Sequence, residues 1–289
     1  MHKFLRAIGF SEIRKKDLEI ITKEIIEHPD VMRITKDSEG YEFAELTKFF
    51  GDGIGMIIRG SYDYEDVFHL DYYFPYAVAT EYTTSEQIDV EKHAEKESYA
   101  GVCDEMRLGV TLIFYLQNAA DFLSEHRTNI HVKNLYGAML SALSVKGKIL
   151  LPVKEKVLQK QTITNKENRT RLIAEARDGN EEAIESLTIQ DMDTYSSISR
   201  RIKKEDVLSI VNSCFMPYGI ESDQYSIIGE ILEVEEITNT LTNENLYSMK
   251  IECNDIQFNV TINKNDLLGE PAVGRRFKGN IWMQGTVCL

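Results

Sequence analysis

Between Tyr225 and Leu289 the chain alternates apolar and polar residues through four successive runs. A polypeptide with that period must form paired strands with one face buried. Tyr247, Met249, Ile251 and Cys253 alternate with Ser248, Lys250 and Glu252, and after Asn254-Asp255 the residues Ile256, Phe258, Val260 and Ile262 alternate with Gln257, Asn259 and Thr261. Two central residues that both tolerate positive φ predict a two-residue hairpin. Upstream, Tyr225, Ile227, Gly229 and Ile231 form one face while Ile228 adds an apolar residue to the other, as expected of a central strand. Downstream, a loop from Asn263 to Gly274 leads to a last strand with Phe277, Ile281 and Met283 on one side. Arg276, Lys278, Asn280, Trp282 and Gln284 take the other. Short strands with glycine-marked bends predict a small closed or half-closed barrel of the oligonucleotide-binding kind, or an open antiparallel sheet covered by another domain.

Barrels of this size bind single strands through cationic grooves and aromatic platforms, and Arg276, Lys278 and Trp282 supply both ingredients. Packing explains a single Trp in a strand better, and two cations beside it commonly solvate an edge. Charge decides between these readings. The chain has Lys+Arg 33 against Asp+Glu 47, and residues 220–289 hold 5 basic and 11 acidic side chains. Phosphate binding requires the opposite balance, so nucleic acid is disfavoured and the acidic surplus reads as solubility.

At 289 residues with 43% hydrophobic content the chain can bury a sizeable core in two or three parts. Ser11 is placed to cap a helix running to about Glu27, with Ile13, Leu18, Ile21 and Ile25 on one side, and His28-Pro29-Asp30 ends it. The stretches Gly53 to Gly60, Asp66 to Phe74, Tyr99 to Asp104 and Leu108 to Gln117 read as antiparallel strands. Leu135 to Val145 is expected to pair with Ile149 to Val153 across Lys146-Gly147-Lys148. No βαβ rhythm occurs, so the class is α+β. After Pro152 a charged stretch without Gly or Pro predicts a helical connector. Asp206 to Cys214 within it fits a helix or a strand. The expected division is an antiparallel-sheet domain with helices at 1–153, a connector at 154–216 and a small barrel-like β domain at 217–289.

Cys103, Cys214, Cys253 and Cys288 are scattered without a CxxC pair, and read as reduced thiols. No run approaches the ~18 apolar residues of a membrane span, and Met1 to Phe10 is too short in apolar residues for a signal peptide. A cytoplasmic protein is expected, which makes the triplets at Asn168 and Asn259 chance sequons. The chain has no GxxxxGK[ST] loop, HExxH or GxSxG elbow. Gly51-Asp52-Gly53-Ile54-Gly55 fails the dinucleotide spacing and precedes a strand, so it reads as a turn. No cofactor is predicted.

Two polar constellations have the shape of a site. On the strand Asp66 to Phe74, His69, Asp71 and Tyr73 alternate with Phe68, Leu70, Tyr72 and Phe74. A carboxylate beside an imidazole can orient it for acid-base work, although a solvated sheet face gives the same pattern. His93 and Glu97 would share a helical face with Asp89 one turn earlier, at a spacing that suits a divalent metal. Neighbouring Glu91, Lys92, Glu95 and Lys96 favour a solvated face with ion pairs over that reading. Tyr62, Tyr64, Tyr72, Tyr73, Tyr76 and Tyr82 have strand composition, and any exposed members would mark a protein interface.

The stretches Met1 to Ser11, Leu112 to Asn118, Lys146 to Val153, Pro217 to Ile231 and Val273 to Gly285 resemble, end to end, an uncharacterised domain-of-unknown-function family of anaerobic Gram-positive bacteria. The resemblance implies a bacterial cytosolic protein and transfers no active site. The functional expectation is a binding or scaffolding protein whose terminal β module recognises a partner protein or, against its charge, nucleic acid. An enzyme using His69, Asp71 and Tyr73 is the alternative.

Overall fold

The computed structural model describes residues 2–37, 39–92, 98–128, 135–153, 168–169, 171–176, 178–202, 206–220 and 222–289. A 3-10 helix, Lys3–Ile8, precedes α1 (Lys15–Glu27). The first sheet follows as β1 (Val31–Lys36), β2 (Glu42–Gly51), β3 (Ile54–Tyr62) and β4 (Phe68–Ala77), paired antiparallel in that order. Then come β5 (Tyr82–Lys92), β6 (Tyr99–Glu105), β7 (Val110–Leu116), α2 (Ala119–Thr128) and β8 (Leu135–Leu150). Helices α3 (Glu181–Ile202) and α4 (Val207–Ile210) lead to β9 (Cys214–Pro217), β10 (Gln224–Thr238), β11 (Asn245–Cys253), β12 (Ile256–Asn263), β13 (Leu267–Leu268) and β14 (Arg276–Val287). The class is α+β, and no described helix is long and apolar enough to cross a membrane.

Strands β5 to β14 belong to one ten-stranded sheet whose pairings close on themselves. β8 pairs with β14, β14 with β10, β10 with β11, β11 with β12, and β12 runs parallel to β8. A second circuit runs from β8 through β5, β6 and β7 back to β14. Closure leaves fewer unpaired edges than an open sheet of this size would expose. The long strands β8 and β14 form the seam common to both circuits, so the sheet crosses the boundaries expected at 153 and 216.

The hairpin at Asn254-Asp255 forms as expected, with φ of 50° and 65°. Two local expectations are corrected, and one left open is resolved. Lys146-Gly147-Lys148 is no turn, because β8 continues through it alongside β14. A Cβ at Gly147 would stand 2.4 Å from the Phe277 ring, so the glycine makes room for a distant side chain. Ser11 does not cap α1: the helix starts at Lys15 with Asp17 accepting from the Arg14 amide, while the Ser11 hydroxyl donates to Glu244 at 2.8 Å. Asp206 to Cys214 divides between a helical turn and the entry to β9.

In the first sheet β2 and β3 are buried on both faces. Ala44, Leu46, Met56 and Ile58 face the side where Leu18 and Ile25 of α1 share their apolar cluster with Phe4, Leu5 and Ile8. Phe43, Glu45, Thr47, Ile57 and Arg59 face the opposite way, towards the end of β7 and the beginning of α2. Two charged residues therefore enter a layer that is otherwise apolar.

Candidate ligand-binding cleft

The residues proposed for nucleic acid do not present a groove. Arg276 is 3% exposed and donates to the carbonyls of Leu151 and Leu208, with a further bond to that of Val211. Trp282 is 4% exposed, stacked on Phe4 at 5.3 Å with its indole N–H donated to Asp223 at 2.7 Å. Lys278 is half-buried, opposite Ile228 and Lys148. Phosphates and bases would find no exposed guanidinium or indole face on this strand.

The His69 ladder is broken by a bulge. Arg59 lies opposite Tyr72 and Gly60 opposite Leu70, so Asp71 is the extra residue and the faces exchange across it. His69 pairs with Ser61 and Tyr73 with Ile58, which places them on opposite sides of the sheet. His69 is exposed and shares 2.7 Å with Asp63 in the preceding turn, whose carboxyl is held below its usual range by that contact and by backbone N–H groups. Among the proposed metal ligands, His93 and Glu97 lie outside the described residues, and Asp89 sits on β5 opposite Val102 and not on a helix. Among the described residues no group of three or more His, Cys, Asp or Glu is placed to hold a metal.

The polar chemistry gathers instead between the two sheets. Arg59 has no exposed surface and Glu45 is 3% exposed, and Nε and Nη2 of Arg59 both reach Glu45 Oε2 at 2.8 Å. Nη1 donates to the Tyr72 hydroxyl at 3.0 Å, and Nη2 to the carbonyls of Leu116 and Gln117 at 2.9 and 3.0 Å. The rings of Phe74, Tyr115, Tyr72 and Phe43 surround the guanidinium at 4.9 to 5.9 Å. Burial opposes the charge on Arg59, but Glu45 and the tyrosine oxygens outweigh it and keep the group protonated. Burial raises the Glu45 carboxyl, and Arg59 offsets only part of that rise.

Beside this pair a cavity of about 370 Å³ opens between the first sheet and the start of α2. One wall is the Glu45 face of the sheet, continued by Val31 and Thr47. The other holds Asn118, Met139 and Thr286. Local sequence builds each wall. Gly55 lacks the Cβ that would stand 2.7 Å from the Tyr76 ring, so the ring lies across β3 into the cavity. Asn118 clamps the far wall through its amide, donating to the carbonyl of Val287 at 3.0 Å and accepting from its N–H at 3.1 Å. Gln117 donates to Ala77, Ser141 and Gln284, tying the end of β4 to the seam. At the mouth Arg33 on β1 meets Asp121 on α2 at 2.6 Å.

Three polar groups lining the cavity have no partner among the described residues. Both Arg59 contacts fall on Oε2 of Glu45, leaving Oε1 without a hydrogen bond. The Tyr76 hydroxyl makes none, and burial together with Asp30 and Glu45 raises its ionisation above the usual tyrosine range. Oγ1 of Thr286 is buried and unpaired. Native proteins rarely leave a buried group such as the Thr286 hydroxyl unpaired without a reason.

None of these residues was singled out from sequence as a ligand-binding residue, and Tyr72 and Tyr76 were named only within the tyrosine run. The available signal was Glu45 in Phe43-Ala44-Glu45-Leu46 and Arg59 after Gly55-Met56-Ile57-Ile58, opposite charges inside apolar strand runs. Such residues are fully buried almost only when paired. No curated protein and no solved structure matches the chain. Residues 5–285 match the model of a family described as "Domain of unknown function, E. rectale Gene description (DUF3881)", in agreement with the resemblance drawn from the sequence, and the chain belongs to that family.

Proposed function

We propose that this protein is a binding protein that takes a small organic molecule into the cleft between its two sheets. One observation carries the reading: Glu45, Tyr76 and Thr286 line one cavity, and Glu45 Oε1 and the two hydroxyls have no protein partner among the described residues. Paired with the Arg59 guanidinium through Oε2, Glu45 offers Oε1 as an acceptor, so the ligand brings a hydrogen-bond donor. The side chains of Val31, Ile57, Val78 and Met139 call for an apolar frame around it. A carboxylate, a phenol and a threonine without a nucleophile–base pair suit recognition better than turnover.

A fragment library screened by thermal shift and ligand-observed NMR tests this. Hits should be small amines, alcohols or amides. Thr286→Val and Tyr76→Phe should each weaken them about tenfold, the effect of losing one well-placed hydrogen bond. Thr286→Val should also stabilise the free protein by about 1 kcal/mol, because it removes a buried hydroxyl that nothing pairs. A library without hits, or hits indifferent to both substitutions, would overturn the assignment.

A further inference from the structure

A second and larger groove lies along β5, and its lining shares no residue with the cleft. Its volume is about 790 Å³, and Tyr82, Thr84, Ser85, Glu86, Arg107 and Asp178 contribute to its lining. The register of β5 against β8 slips between Tyr82 and Thr84 and again between Thr84 and Gln87. Those irregularities bring neighbouring hydroxyl-bearing side chains onto one lining.

The Tyr82 ring is set as a platform. Gly137, on β8 two residues before the Met139 that pairs with Tyr82, has φ of +90°, and a Cβ there would lie 3.3 Å from the ring, so the glycine lets the ring approach the β8 backbone. Its hydroxyl hydrogen-bonds with Cys288. The residue is nonetheless 70% exposed. An aromatic ring held from behind and open in front offers a stacking face at little cost in conformational entropy.

Charge selects what stacks there. Arg107 is the one cation among the described lining residues, and its donors are committed to the Glu105 carboxylate at 2.7 Å and to the carbonyls of Thr83 and Asp255. Among the described lining residues three carboxylates, on Glu86, Glu105 and Asp178, outnumber that one cation, which disfavours phosphates. The side chains of Ser85 and Asp178 make no hydrogen bond among the described residues, so both are available to a ligand's hydroxyls. A neutral molecule with an apolar face and a rim of hydroxyls meets every condition. Sugars have that form, since their C–H faces stack on aromatic rings while their hydroxyls donate to carboxylates.

We propose that the β5 groove is a binding site for a neutral oligosaccharide, stacked on Tyr82 and held through its hydroxyls by Ser85 and Asp178. The test is the full chain on an array of neutral, sulfated and phosphorylated oligosaccharides, followed by calorimetry and saturation-transfer NMR on the best binder. Neutral glycans should bind and their charged counterparts should not. Tyr82→Ala should weaken binding about tenfold or more while Tyr82→Phe stays within about twofold, since the stacking face is what matters. Asp178→Asn should weaken it about threefold or more. A fragment that binds the cleft between the sheets should not compete with the sugar, which separates the two sites. No neutral glycan bound at millimolar concentration, binding unaltered by Tyr82→Ala in a variant whose circular dichroism and melting are unchanged, or preference for phosphorylated ligands or nucleosides would overturn the proposal.

Discussion

A guanidinium with no exposed surface loses its hydration entirely, and Arg59 recovers it from one carboxylate, one phenol, two carbonyls and four aromatic rings. Such a pair contributes little net stability as a pair, yet removing one half strands the other charge in a dry interior. Arg59→Met should therefore cost roughly 3–5 kcal/mol in urea unfolding, and adding Glu45→Leu should recover a large part of the loss. A double variant as unstable as the single one would mean that the ring cage and not the charge balance does the holding. A second residue-scale expectation concerns pH. Burial pushes Cys103, Cys253 and Tyr225 up to about 12, against ordinary values of 9.0 for the thiols and 10.0 for the phenol. The folded state thus keeps protons that the unfolded chain releases, so this contribution is intact below pH 9 and is lost as pH rises towards 12. Denaturant midpoints should fall across that window. At pH 8 Cys103 and Cys253 should resist a thiol reagent that reaches them promptly in urea, and prompt native-state labelling would contradict the burial. The opposed charges were visible in the sequence of β2 and β3, but their pairing was not, since Glu45 and Arg59 meet only once the register is fixed.

At the scale of elements, legibility followed the range of the interaction that decides each one. The Asn254-Asp255 hairpin is set by two residues that accept positive φ and by flanking alternation, all within one stretch of chain, and it formed as read. The continuation of β8 through Lys146-Gly147-Lys148 is set by Phe277, far along the sequence, whose ring occupies the space a Cβ would need. Local rules see only a glycine between lysines and infer a turn. The same blindness affected β4, where a bulge at Asp71 moves His69 and Tyr73 to opposite faces and no composition signals it. It also affected β14, whose alternation was read correctly while both its faces turned out to be covered. Gly147→Ala should destabilise the protein by about 1–3 kcal/mol through overpacking, and Phe277→Leu in the same chain should relieve part of that cost. If Gly147→Ala is neutral, the ring has room to move and the glycine serves some other need.

For the whole molecule, the deciding fact is that β8 and β14 each belong to two strand circuits at once. Composition divided the chain at 153 and 216 because charge and helical pattern change there, yet pairing energy is blind to composition. Hydrogen bonds of β14 run to β8 and β7 on one side of the described connector and to β10 on the other. The N-terminus joins the same arrangement: Phe4 stacks on Trp282, and the carbonyl of Ile8 accepts from Asn239 at 2.7 Å. A fragment of residues 217–289 would carry β10, β11, β12 and β14 without the strand that closes their circuit, exposing the β12 and β14 edges and the apolar face that Phe4 covers. That fragment, expressed alone, should give a poorly dispersed amide spectrum. The full chain should unfold with Trp282 fluorescence and far-ultraviolet circular dichroism in a single coincident transition. Adding a fragment of residues 1–153 should restore dispersion, because it supplies β8 and the Phe4 contact together. A well-dispersed spectrum from 217–289 alone, or a fluorescence transition separated from the dichroism, would show that the terminal strands fold as an independent unit and that the seam is an interface between two domains.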